Sequence, residues 1–210
     1  AYIWGAQVEM NNNLSNYTYT SGTAGVGVPR FDYDPSNCSA GVCAKKGLLV
    51  EAISKNYVLS SADLSTWTAT GTSGGAAVTT NTAVAPDGTT TVDELVDSDG
   101  AGSQGRFFSM TVPVNSNPLT FSIFVKQKAG STCTGTYRHQ LNLGGGSGTN
   151  SGIRLNLTTG ATSVGWGSPT TYGATNYGNG WWRVTLTGTY GAGNTVYPCV
   201  AVTGDTLWTS

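Results

Sequence analysis

The residues with the means to do chemistry are few and do not converge. The chain's one histidine, His139, stands in Tyr137-Arg-His-Gln-Leu141 without a nucleophile elbow or a second histidine at metal-ligand spacing. It reads as a strand residue with an ordinary hydrogen bond. Asp32 and Asp34, two apart in Pro29-Arg-Phe-Asp-Tyr-Asp-Pro35, can point the same way like paired glycosidase carboxylates. They can equally hold a structural Ca²⁺ or cap turns, and a turn or structural role is the favoured reading because no acid, base and oxyanion constellation accompanies them. Asp93, Glu94, Asp97 and Asp99 form an acidic cluster without the spacing of a dedicated Ca²⁺ loop, so a solvated face is expected there. Catalysis, a bound metal and a cofactor are therefore not expected, with a structural Ca²⁺ as the alternative. Cys38 and Cys43 bracket a four-residue loop, while Cys133 and Cys199 lie far apart beside expected strands. An even number of cysteines with one close pair and no Cys-x-x-Cys favours two disulfides, Cys38–Cys43 and Cys133–Cys199, over zinc or a redox motif. Trp166, Tyr172, Tyr177 and Trp181 sit in Gly/Asn-rich surroundings where exposed rings would stack on sugars. The sequons at Asn13, Asn16, Asn37 and Asn156 would accept glycans in a suitable host.

The elements that must position these residues are strands. Only 10% of the 210 residues are charged and 30 are glycine, which with abundant Ser, Thr and Asn points away from helices and toward an all-β protein. The net charge of −1, with no Lys/Arg cluster, removes the footprint that nucleic-acid and anionic-membrane binding needs. No apolar run approaches a membrane span, and there is no charged-then-apolar signal pattern, as expected for an exported chain whose signal has already been removed. Strands are expected at Leu48–Val50, Ala83–Ala85, Thr91–Val96, Phe108–Val112, Leu119–Val125, around Leu141, Ile153 and Val164, at Trp182–Leu186 and at Val196–Val202. Pro198 marks the last as an edge or a bulge. Ser60–Ser65 offers one helical turn at most. The expected fold is an antiparallel β-sandwich of the jelly-roll kind.

The first ten residues carry the strongest signal. Tyr2, Ile3, Trp4, Ala6 and Val8 form a strand in which Trp4, Ala6 and Val8 share one face, while Gln7 and Glu9 take the other. A polar run over 11–25 follows without a hairpin turn, so this strand pairs with something remote. The chain divides into a strand at 1–10, a linker at 11–30 and a sandwich body at 31–210.

Several segments together resemble modules of phage tail and related surface proteins: Arg30-Phe-Asp-Tyr-Asp-Pro35, Gly47-Leu-Leu-Val-Glu51, Asn56-Tyr-Val-Leu59, Trp67, Ala85-Pro-Asp-Gly-Thr-Thr-Thr91 and Gly178-Asn-Gly-Trp-Trp-Arg183. The resemblance covers roughly residues 1–202 and implies a carbohydrate-binding-like jelly roll without an active site. In such modules the Tyr-Ile-Trp-Gly-Ala-Gln-Val-Glu strand comes last and closes the sandwich, whereas here it comes first. A sandwich missing one strand exposes a groove and an open edge. The expectation is an extracellular, cell-surface or virion structural subunit whose N-terminal strand enters the sandwich of an identical subunit, giving a head-to-tail fibre. The alternative is a monomeric carbohydrate-binding module closed by its own strand, with glycans as partners.

Overall fold

A computed structural model describes residues 1–9, 55–71, 74–97, 103–112, 118–130, 151–189 and 195–203, together with the backbone course of 25–26, 30–39, 42–49 and 140–145. In chain order its strands are β1 (Tyr2–Glu9), β2 (Gly25–Val26), β3 (Arg30–Ser39), β4 (Val42–Leu49), β5 (Lys55–Asn56), β6 (Thr68–Gly71), β7 (Ala77–Ala83), β8 (Val92–Val96) and β9 (Ser103–Phe107). They continue with β10 (Met110–Thr111), β11 (Leu119–Lys126), β12 (Gln140–Gly145), β13 (Ser151–Leu155), β14 (Thr162–Trp166), β15 (Thr171–Asn176), β16 (Trp181–Gly188) and β17 (Thr195–Thr203). The helical turn expected at Ser60–Ser65 lies later, as a 3₁₀ helix at Leu64–Thr66 opened by the Asp63 side chain, which accepts from the Ser65 N–H. No helix among the described residues is long and apolar enough to cross a membrane.

Two antiparallel sheets form the sandwich. One has the order β15-β16-β11-β1-β8-β7 and the other β14-β13-β12-β17-β9-β6, with β10 also on β17; β2-β5 and β3-β4 are separate pairs. The chain changes sheet between β6 and β7, β8 and β9, β10 and β11, β11 and β12, β14 and β15, and β16 and β17, which is the habit of a jelly roll. Between the layers lie Ile3, Phe121, Ile123, Val184 and Leu186 from the first sheet and Ile153, Leu155, Val196 and Val200 from the second, each essentially inaccessible to water. Val58, Leu64 and Trp67 join this core from the segment leading into β6.

Local sequence explains most of these elements. In β11 and β16 the phase read from the sequence holds, since Phe121, Ile123, Val125, Val184 and Leu186 all face the core. On the opposite face Thr120, Ser122, Arg183 and Thr187 are buried as well. These strands lie in the interior of the sheet with cover on both sides, so their polar residues pair instead of meeting water: Thr120 and Thr187 share a hydroxyl hydrogen bond of 2.9 Å, and Arg183 donates to Ser122 Oγ. Pro198 corrects the expectation of an edge. It lies inside β17, which is flanked by β12 and β9. The β9 ladder ends at Cys199↔Phe107 and β10 begins at Met110↔Val196, so the residue without an N–H occupies the gap between two partners, where its carbonyl accepts from Phe108 N.

Candidate strand-acceptor slot

β1 is the fourth strand of its sheet, counted from β15, with antiparallel partners on both sides. Against β11 the register runs from Tyr2↔Lys126 to Trp4↔Phe124, then from Gln7↔Ser122 to Glu9↔Thr120. Three steps along β1 match two along β11, so Gly5 and Ala6 together oppose Ile123, which is a β-bulge. Gly5 adopts φ 63°, a conformation that side chains resist, and this glycine lets the extra residue in.

The bulge overturns the strict alternation expected for this strand. Ile3, Ala6 and Val8 face the main core, while Trp4 points to the other side of the sheet and packs with Val92, Phe124, Trp181 and Ala85. Gln7 is also fully buried. Each large apolar side chain buried this way contributes about 1.5–3 kcal/mol. Trp4 contributes more through its geometry: its ring meets Phe124 at 5.2 Å, and its Nε1 donates to Thr91 Oγ1 at 3.1 Å.

The second wall of the slot is made of two pieces. β8 pairs with Tyr2 and Ile3, and the Leu95 N–H reaches the Ala1 carbonyl. Past that point the wall is taken over by residues 56–61. The Asn56 side chain accepts from Val8 N at 3.1 Å and donates to the Ala6 carbonyl at 3.3 Å, Tyr57 N donates to the Val8 carbonyl, and Ala6 N donates to the Ser61 carbonyl. All four main-chain groups that Ala6 and Val8 contribute to this interaction are thus met by a carboxamide and two backbone groups. Asn56 and Ser61 are themselves buried. Because β8 and β11 are both antiparallel to β1, they run parallel to each other across the slot, at about twice the ~4.8 Å strand spacing. Neither can close onto the other as an antiparallel neighbour.

Asp93 lies on this wall opposite Ile3, with Oδ2 accepting from Leu64 N at 2.6 Å and Oδ1 from Asn81 N at 3.3 Å. Burial pushes its carboxyl up to about 6, against the pull of those two N–H groups. Glu94 pairs with Lys128, whose ammonium is held above its usual range by that carboxylate. Asp93 therefore faces inward and Glu94 is ion-paired, so these two do not belong to one solvated acidic face; Asp99 lies outside the described residues. No group of metal-ligating side chains occurs among the described residues.

The four aromatic candidates for sugar stacking do not form one platform. Trp181 is 4% exposed and belongs to the cluster around Trp4, which corrects its reading as an exposed ring. Tyr177 is 51% exposed and meets Phe124 edge-on at 5.0 Å above that cluster. Tyr172 is 42% exposed on β15, and Trp166 lies on the other sheet with its ring against Gly152, where a Cβ has no room. Cys199 is a free, half-buried thiol whose pKa burial raises to about 12, which corrects its expected disulfide. Cys133 and His139 fall outside the described residues. Cys38 and Cys43 oppose each other in the β3–β4 register, in the same pair of strands as Asp32 and Asp34. Sequence reasoning missed Asn56, Ser61 and the burial of Gln7. Gly5 was the available signal, since a glycine inside a strand pattern marks a bulge.

Comparison with protein-family models and with curated proteins finds no match to this chain.

Proposed function

We propose that the protein is a non-enzymatic structural subunit that polymerises head to tail outside the cell, the strand at residues 2–9 of one copy entering the slot of the next. One observation carries this reading: the main-chain partners described for β1 lie at Asn56 or beyond, across β8, β11 and the 56–61 segment. Strand and slot are separate halves of one interface, joined by the chain between them. In the structure the strand fills the slot of its own chain, and the same contacts form when it comes from another copy. Residues 10–24 reach up to roughly 50 Å at ~3.3–3.6 Å each, enough for either route. Exchanging an identical element costs little, and because strand and slot are different surfaces a one-way exchange leaves a free strand at one end and a free slot at the other, so it propagates into a fibre wherever the rotation between copies does not close a ring. The likeness to phage tail and surface modules, and the opposed Cys38 and Cys43 of β3 and β4, support a virion or cell-surface location.

A second reading is a monomer that keeps its own strand and binds glycans without catalysis; the exposure of Tyr172 and Tyr177 favours it. Electron microscopy of the purified protein with light scattering decides between the two. Long filaments whose abundance grows with concentration are the expected result, and monodisperse particles of 21.6 kDa at every concentration refute the polymer.

A further inference from the structure

A strand in a two-walled slot has to find its register as well as its face. Sliding by one residue would turn Ile3, Ala6 and Val8 out of the core, which packing forbids. Sliding by two keeps the alternation of faces and is the error that packing resists least. Along β11 the ladder hydrogen bonds repeat with that same period and do little against it. The other wall is different, because β8 pairs only at Tyr2 and Ile3 and what is described beyond it is the Asn56 side chain with two backbone groups.

We infer that Asn56 is the register-setting residue of the slot: its carboxamide selects a bulged strand in which the groups at positions 6 and 8 face it together, as they do in this chain's own N-terminal segment. This deepens the strand-exchange reading and rests on it for the source of the strand, though the contact itself is the same in a self-filled chain. Asn56 Oδ1 is held in place by a second donor, Val58 N at 3.1 Å, and the residue is 1% exposed. The amide is therefore oriented before a strand arrives. It presents one acceptor and one donor side by side, a copy of a strand edge confined to one position. A strand shifted by two so that Gln7 meets Thr120 either carries its bulge along and brings positions 4 and 6, which lie across that bulge, to Asn56, or leaves the bulge in place on Ile3, which resists the left-handed conformation that Gly5 adopts. It would thus bring the wrong spacing of N–H and carbonyl to Asn56. The partner that fits is a second copy of this chain, or the chain itself, and not an arbitrary apolar strand.

The test uses full-length protein with paired cysteines and a mild oxidant. Gln7→Cys with Ser122→Cys reports the native register, and Gln7→Cys with Thr120→Cys reports a slide by two; each single substitution controls for the native thiols. With Asn56 intact, the first pair cross-links and the second does not. With Asn56→Ala, preference for the native register should drop by about tenfold or more, from the loss of hydrogen bonds to the strand, and the shifted pair should cross-link. Asn56→Asp keeps the acceptor for Val8 N but loses the donor to Ala6, and should fall between the two. If Asn56→Ala lowers stability but leaves all cross-linking at the native pair, Asn56 merely supports the fold and the inference is wrong. Product size is read separately: covalent multimers or monomers report whose strand fills the slot, so failure of the register claim and failure of strand exchange give different results.

Discussion

Replacing Trp4 by alanine removes the largest side chain that β1 puts into the slot. The indole is 3% exposed, packs with Val92, Phe124, Trp181 and Ala85, and donates to Thr91 Oγ1. Truncating a buried tryptophan costs about 3–5 kcal/mol, a large share of the ~5–15 kcal/mol typical of a folded domain. The lost hydrogen bond adds little, because Thr91 Oγ1 keeps Thr89 Oγ1 at 2.7 Å. Part of the cost belongs to the pairing with Phe124, where tilted rings at 5.2 Å should show a coupling of about 0.5–1.5 kcal/mol beyond area burial. The assay is denaturant unfolding of the wild type, Trp4→Ala, Phe124→Ala and the double variant at one protein concentration, followed by the double-mutant cycle. A Trp4→Ala loss below about 1 kcal/mol, or a coupling of zero, would refute the placement of this ring in the slot.

Gln7 gives a sharper contrast with simple alternation. A strictly alternating strand would put it in water and make Gln7→Asp mild, but here residue 7 is fully buried, so the substitution should cost at least about 3 kcal/mol by denaturant midpoint. Asp93 sets a pH dependence. Its folded-state pKa is raised, so its contribution is complete below the ordinary carboxylate range and is lost as pH rises through about 6; the unfolding midpoint should fall over that window, and a midpoint that rises there would exclude the assignment. Thiol labelling of the native protein should leave Cys199 unmodified, because its pKa is near 12. Non-reducing peptide mapping should recover Cys38 joined to Cys43, and free thiols at both positions would remove the argument for an oxidising compartment.

The sequence was most legible where one physical signal dominates. β11 and β16 announce themselves by alternation, whereas the Asp63 side chain that opens the short 3₁₀ turn was not singled out. β15, with Thr171, Gly173, Ala174 and Thr175, has almost no apolar pattern, and its pairing with β16 creates it as a strand. The same holds for β6 and β9, which depend on each other and on β17. That β1 pairs far away was legible from its apolar residues and the missing hairpin turn. Which side chain faces which way was not, because one glycine reverses the phase between Trp4 and Ala6. Asn56 was invisible for a different reason: its role depends on a strand more than forty residues away, and an asparagine before a short apolar stretch carries no mark of what it will bind.

The most direct test of strand exchange is the identity of the chain that supplies β1. With Gln7→Cys and Ser122→Cys in one molecule, the two positions are register partners across β1 and β11, and oxidation after assembly captures whichever strand occupies the slot. Exchange between copies should give a non-reducing ladder at multiples of 21.6 kDa that needs both cysteines and collapses on reduction. A product that is cross-linked yet migrates only as a monomer at every concentration would show that each chain fills its own slot, and would contradict the structural-polymer reading.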